Sequence, residues 1–384
     1  MMANLKVDTI SGIGTEGPVL NGGLHFRSKN YLTLPKGTTA ERTATSSGIS
    51  TVIGAIRYNT DSNKMECYVN NKWMIVSTSS PNLAQSGETA GTRGLWLGGA
   101  KWHTPSPYNT AEVSAVSLAS NGNAFDFGDM TEARRNGGQC ANASRALLAG
   151  GFVSSRVNTI DFITISSTGN GTDFGDRTSD GSAVAGAANA TRGVWHGANT
   201  PSATNIIDFV TIASTGNAVD FGDASHTNNN NAGFSSPIRG IFGANGPNGD
   251  CDFVTIPTTG DAVDFTSITR KEVPAAGSNA TRGIIAGGEK QPAGAASDDI
   301  VFHTIATLGN FVSFGDMTSV RIGAGGASSS TRFVIAGGSN PSNPNGVNVI
   351  EYVSFSTTGN AVDFGDLNDA KNAYAGCSNG HGGL

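Results

Sequence analysis

From Asn158 to Ser166 the chain reads NTIDFITIS, an alternation that puts Ile160, Phe162 and Thr164 on one face of a strand and Asp161, Ile163 and Ile165 on the other. Before it, RALLAGG (145–151) is a short apolar run stopped by two glycines, and GGQCANAS (137–144) is a run of small residues suited to a crowded inner strand. After it, Ser167 to Asn170 spells a turn and GTDFGD closes the unit as an outer strand. Four strands in this order predict one four-stranded antiparallel blade. No stretch keeps an apolar stripe at helical spacing for three turns, so the chain is expected to be all-β.

The unit recurs six times. T-R-G-(apolar)-(apolar)-x-G-G returns from Thr92, Ser144, Thr191, Ile238, Thr281 and Thr331. T-G-N-A-V-D-F-G-D keeps step with it, its phenylalanine being Phe127, Phe174, Phe221, Phe265, Phe314 and Phe364, at spacings of 47, 47, 44, 49 and 50 residues. A period of about 48 residues filled with short β-type runs is the mark of propeller blades. The stretch DFGDLNDAKNAYAGCSNGHGGL starts a seventh unit and stops where its double-glycine strand should begin, while unit one has a poor small-residue strand before Thr92. A strand from Asn372 to Gly380 beside Thr92 to Gly99 is therefore expected to complete blade one. That closes a six-bladed β-propeller over residues 81–384 with no exposed edge.

Arg93, Arg145, Arg192, Arg239, Arg282 and Arg332 open the double-glycine strand of every unit. The last aspartate of DFGD recurs as Asp129, Asp176, Asp223, Asp316 and Asp366, with Ser267 in unit four. One cation and one anion per blade predict a structural ion pair or turn hydrogen bond. A ligand-binding ring of six arginines is the alternative. DFGD matches the kinase metal loop by letters, but six copies without a Gly-rich loop, V-A-I-K or H-R-D exclude that reading.

Residues that differ between copies are the candidates for recognition. The segments after the double glycine vary most: AKWHTPSPYNT (100–110), FVSSRVN, ANTPSATN, ANGPNGDC, EKQPAGAASDD and SNPSNPNGVN. Strand alternation places them at the same end as the loops leaving DFGD, which carry Arg134, Arg135, Arg177, Arg270, Lys271, Arg321 and Lys371. Lys101, Trp102, His103 and Tyr108 form the one dense aromatic cluster in these loops, suited to stacking on sugar rings or gripping a protein. The bland alternative is a Trp packed onto its own blade.

Composition narrows the classes. Charged residues are 14% and the net charge is −6, which argues against a nucleic-acid partner. No apolar run reaches transmembrane length, and the opening MMANLKVDTISG has no h-region, so neither membrane insertion nor a secretory leader is expected. The motifs at Asn142, Asn189 and Asn279 are then repeat consensus rather than glycosylation sites. Cys67, Cys140, Cys251 and Cys377 lack metal or disulfide-framework spacing and are expected to be small fillers, mostly buried. His196 and His303 are isolated within strands, so no metal and no cofactor is expected. A polysaccharide-acting enzyme would need carboxylates converging near the axis. Asp298 and Asp299 are merely adjacent in a loop, the remaining acids repeat as scaffold, and no sialidase-type box is present. The expectation is a non-enzyme.

Residues 1–50 predict an extended N-terminal segment, with strands ending near Pro35 and a polar linker from Thr38 to Ser50. Residues 51–80 predict a small β-meander: strand, turn TDSNK, strand, turn NNK, strand.

Two resemblances follow. MTEAR (130–134), LLAGG, NTIDFITISSTGN and the Phe127-type aromatics resemble the kelch repeat over residues 82–384, without the usual Tyr after the glycines and with Phe in place of Trp. The resemblance implies the propeller and no catalytic residues. I-R-Y-N-T-D-S-N-K-x-E-x-Y-x-x-x-K-W, with L-x-V-D-T-I-S near the start and G-C-S-N-G-H-G-G-L at the close, resembles tailed-bacteriophage fibre and tail proteins of the cyanophage type. It implies a virion structural protein, assembled in the host cytoplasm. Residues 1–80 would anchor it to other virion proteins, and the propeller would be displayed toward a host cell-surface glycan or protein. It also implies a homotrimer. An intracellular kelch-type scaffold is the remaining alternative.

Overall fold

The computed structural model describes residues 34–43, 54–62, 64–69, 72–75, 92–102, 104, 108–230, 232–246, 248–372 and 376–384. The extended segments expected before Leu34, the end of the linker toward Ser50, and His103 lie outside them. The chain divides into two compact units, Met1–Pro81 and Asn82–Leu384. Among the described residues it is all-β, apart from one 3-10 turn at Ala40–Thr43.

In the first unit the strands Ile56–Asn59, Lys64–Val69 and Lys72–Ile75 form the expected antiparallel meander, and Lys36–Gly37 adds parallel to Ile56–Asn59. The polar linker expected from Thr38 opens instead with the 3-10 turn. Glu41 accepts the Thr38 amide at 2.6 Å, and Arg42 pairs with the buried Glu66, which also accepts from Asn59 Nδ2 at 2.8 Å. Alternation then turns Ile56, Tyr58, Val69 and Met74 to the other face, where they are exposed.

Among its described residues the second unit holds six antiparallel sheets. Sheet two runs Gly138–Ala141, Arg145–Ala149, Thr159–Thr164 and Thr172–Asp176, the order that the alternation and glycine punctuation predict. Sheet three takes Ala185–Ala188, Arg192–His196, Thr204–Thr211 and Val219–Asn228; sheet four takes Ala232–Ser235, Arg239–Gly243, Asp250–Thr255 and Val263–Ser267. Sheet six takes Gly325–Ser328, Arg332–Ala336, Val349–Ser354 and Val362–Asp366. Sheet five is larger: beside Ala275–Ser278, Arg282–Ala286, Ala295–Thr304 and Val312–Arg321, it gains the short strands Lys271–Glu272 and Glu289–Lys290. Sheet one draws on distant parts of the chain. Arg93–Ala100, Asn109–Ser117 and Phe125–Asp129 are joined by Cys377–Ser378, which pairs antiparallel with Cys377 opposite Leu95 and Ser378 opposite Gly94.

Each DFGD-type phenylalanine anchors a different apolar cluster, and each cluster joins consecutive sheets. The cluster around Phe364 joins sheet six to sheet one through Trp96, Val116, Leu118, Val334 and Ile350. In sheets two to six this ring meets an aromatic of the third strand, edge-on in each case (Phe162 with Phe174 at 5.8 Å, for example). Burying one phenylalanine is worth about 1.5–3 kcal/mol, so six of them are a large part of what joins the sheets.

Among the described residues the repeated arginines and aspartates form no ion pair with each other; of the two expectations, it is hydrogen bonding at the turns that they show. Arg145 lies over Phe162 and donates to the Ile212 carbonyl of the next sheet at 2.8 Å. Arg192, Arg239 and Arg282 do the same toward Ile256, Ile305 and Phe355. Arg93 covers Phe127, because Ala115 stands opposite Phe125 where the other sheets carry an aromatic, and it donates to Ile165. Arg332 covers Tyr352 and donates to Asn121. Asp129, Asp176, Asp316 and Asp366 contribute backbone amides, each donating to an asparagine side chain in the next sheet's turn, while Asp223 donates to Asp261. The long guanidinium reaches across the boundary between sheets, so its partner lies in a different repeat.

The glycines of DFGD and STGN meet across the same boundaries. A Cβ on Gly128, Gly175, Gly222, Gly315 or Gly365 would stand 2.3–2.6 Å from the carbonyl oxygen of Gly169, Gly216, Gly260, Gly359 or Gly122 respectively. Gly365→Ala should therefore destabilise the protein by about 1–3 kcal/mol, since backbone faces backbone and neither can yield cheaply. Gly122→Ala, on the other side of that contact, has open space around its Cβ. Equal losses for the two in denaturant titrations would show that the close approach carries no weight.

The first strands of the sheets touch one another, and their last residues are linked by hydroxyls. Ser235 Oγ donates to Ala188 O (2.7 Å), Ser278 Oγ to Ser235 O (2.6 Å), Ser328 Oγ to Ser278 O (2.8 Å), and Ser378 Oγ to Ser328 O. Sheet two has Ala141 at this place, and His381 donates to the Ala141 carbonyl at 2.6 Å. The asparagines of the apparent glycosylation motifs are structural: Asn142 and Asn189 are buried, accept the amides of the following turn and donate Nδ2 to the next sheet. Cys140, Cys251 and Cys377 are buried fillers and Cys67 is half-buried; burial pushes the Cys251 thiol up to about 12.

Candidate functional site

The variable segments and the connections between sheets meet at one end, as alternation requires, because a backbone hydrogen bond ties them in every repeat. Gly99 N–H donates to Arg134 O, Gly151 to Gly181, Ala198 to Asn228, Gly288 to Arg321 and Gly338 to Lys371, while Lys271 N–H donates to Ala244 O. The double glycine makes this approach possible: Gly98 has φ +70°, and a Cβ there would lie 2.7 Å from the Arg134 carbonyl.

Most of the cations expected on this surface are not on it. Arg177, Arg321 and Lys371 are buried, as are Arg134 and Lys271, and each neutralises an acid on the third strand of the next sheet. Arg134 meets Asp161 at 2.9 Å, Arg177 meets Asp208 at 3.1 Å, and Arg321 meets Glu351. Lys271 meets Asp299 at 2.9 Å, and Lys371 lies 3.7 Å from Glu112 and donates to Ser114 Oγ at 2.9 Å. Thr131, Thr178 and Thr318 add a hydroxyl donor to the acids that face arginine. The acid was visible in the alternation, since Asp161 shares a face with Ile163 and Ile165. Its partner was not, because it comes from the preceding repeat. Burial pushes Lys371 down to about 8 despite the opposing pull of Glu112.

The boundary between sheets three and four replaces the permanent cation with histidine. Asp252 accepts from Ser225 Oγ at 2.6 Å, with His196 Nε2 at 3.5 Å and His226 Nδ1 at 3.8 Å. His196 stacks on Phe242, and burial lowers its pKa even though Asp252 pulls it up. Burial also lowers the pKa values of His303 and His381. For each of the three the unfolded chain takes up a proton near pH ~6.5 while the folded one does not, so stability is lost as pH falls below that value. His196→Gln should reduce the slope of stability against pH between about 6.5 and 5. An unaltered slope in thermal melts across that window would exclude a contribution from His196.

What remains at the surface is an aromatic cluster built by three loops. Trp102 and Tyr108 lie 4.8 Å apart at 41°. Arg135 sits between the Trp102 ring (5.1 Å) and the Phe152 ring (4.6 Å) and donates to Asn109 Oδ1 at 2.6 Å. Asn109 Nδ2 in turn holds the carbonyls of Phe152 and Val153. Lys101 is clamped by Glu112 (2.6 Å) and Asp369 (3.1 Å), and these bonds overcome the effect of burial to hold its pKa above the usual lysine value. Trp102 and Tyr108, with Pro344 and Asn345 from the sheet-six loop, line an open depression. Arg270 lies apart from the cluster, bonded to Asn245 and Glu272. Phe152, Pro344 and Asn345 belong to the variable segments FVSSRVN and SNPSNPNGVN but were not named individually, and only the fold brings them to Trp102 and Tyr108.

Among the described residues no group of three or more His, Cys, Asp or Glu is arranged to hold a metal ion, and no helix is long and apolar enough to cross a membrane. Asp299 is occupied by Lys271 and Lys290. No family model matches the chain, and no curated protein matches it.

Proposed function

We propose that residues 82–384 form a closed six-bladed, kelch-like β-propeller and that the chain is a virion structural protein of a tailed bacteriophage, a tail fibre or related surface appendage. In this reading residues 1–80 attach to other virion proteins, with a homotrimer as the assembled form, and the loop end faces a host-surface glycan or protein.

The observation that carries the binding half is the Trp102–Tyr108 pair, set with Arg135 and Phe152 at the end where the six repeats differ. Aromatic anchors with a fixed arginine are the usual centre of a recognition surface. Closure is supported by recurrence: the apolar cluster, the glycine contact, the asparagine-to-amide bond and the Lys–Glu pair all join sheet six to sheet one as well. Attachment is supported by the phage-type meander and by its exposed Ile56, Tyr58, Val69 and Met74, a large apolar set for so small a unit.

Particles carrying Trp102→Ala together with Tyr108→Ala should bind host cells about tenfold or more weakly, with the melting temperature of the isolated chain unchanged. Deletion of residues 1–80 should remove the protein from particles. Undiminished cell binding by the double variant would overturn the loop-face assignment, and incorporation of the truncated chain would overturn the attachment assignment.

A further inference from the structure

The geometry points to an uncharged pyranose as the ligand of the Trp102–Tyr108 depression, an inference that rests on the recognition role proposed above. The nearby cations are already committed. Lys101 is held by two carboxylates, and Arg135 is fixed between two rings and on Asn109. Neither is left as an open partner for a carboxylate, sulfate or phosphate, and the net charge of −6 adds no long-range attraction for one.

What the depression offers instead is the Trp102 and Tyr108 rings, tilted at 41° to each other, beside Pro344 and Asn345. Ring faces suit the C–H surface of a pyranose, and an amide and a phenol supply donors and acceptors for its hydroxyls. Tyr108 is 38% exposed, enough to take up a ligand. The two walls come from sheets one and six, so a sugar seated here would bridge two repeats that carry different loops.

The test uses the full-length chain and isothermal titration calorimetry. The neutral probes are methyl glucoside, methyl galactoside, methyl mannoside and N-acetylglucosamine, and the anionic ones are glucuronic acid and N-acetylneuraminic acid. At least one neutral probe should bind with an affinity that salt does not change, and Trp102→Ala and Asn345→Ala should each weaken it by about tenfold. Binding only of the anionic probes, weakening with salt, overturns the inference, and so does binding of none. Host-cell binding that depends on Trp102 but resists competition by the neutral sugars overturns the sugar assignment alone and leaves the recognition role standing. Loss of that cell dependence overturns the recognition role itself.

Discussion

Deletion of residues 376–384 should lower the melting temperature by roughly 8 °C or more, or abolish cooperative unfolding. These nine residues supply the first strand of sheet one and four links beyond it. Asn379 accepts the Arg93 amide, Ser378 donates to Ser328, His381 donates to Ala141, and the Gly382 amide donates to Ser278. Without them the fully buried Leu95 and Trp96 lose a covering strand. Partial exposure of two such side chains and loss of several buried hydrogen bonds comes to about 5 kcal/mol. Spread over the unfolding entropy of a unit of this size, that gives the stated shift.

A point substitution should do comparable damage without removing any residue. A Cβ on Gly376 would stand 2.6 Å from the Gly326 carbonyl and 2.8 Å from the Trp96 indole nitrogen, so Gly376→Val should force the first strands of sheets one and six apart. A melting temperature unchanged in both variants would mean that the strand merely rests on sheet one, and the proposed closure would fail with it.

The C-terminal pairing was legible because its signals are local: a missing small-residue strand before Thr92 and a surplus one after Asn372. The same holds for the four strands of sheet two, where alternation and paired glycines punctuate the chain directly. Partnership between repeats was not legible. Arg145 and Asp176 belong to sets that recur in step, in six and five of the units, and suggest a pair, yet the guanidinium crosses to Ile212 O and the aspartate donates through its amide. Arg177 and Lys371 follow an outer strand, as loop residues do, and were expected at the surface. Neighbouring loops bury them, and the carboxylates waiting there had been read only as one face of a strand. For the candidate site, Trp102 and Tyr108 stood out as aromatics in a variable loop. Their opposite wall, Pro344 and Asn345, lies more than two hundred residues away and only the fold supplies it.

Arg321→Met should destabilise the protein by about 3–5 kcal/mol, the cost of leaving one member of a buried ion pair alone. Arg321 and Glu351 are both fully buried, and Arg321 also donates to the carbonyls of Gly337 and Val349. In the variant the Glu351 carboxylate would keep only the Thr318 amide and hydroxyl. Removing both charges together, as Arg321→Met with Glu351→Leu, should restore much of the loss, since a well-packed apolar pair is often no worse than a buried salt bridge. The half-buried Arg270–Glu272 contact, open to solvent, should be worth at most about 1 kcal/mol by the same measurement. Denaturant titration of the unsubstituted protein and the two Arg321 variants separates the two roles that Arg321 could have. A boundary residue lowers stability when lost and is rescued by the second substitution. A ligand-binding residue would leave stability almost untouched and weaken cell binding instead, and that outcome would return Arg321 to the recognition surface from which its burial removes it.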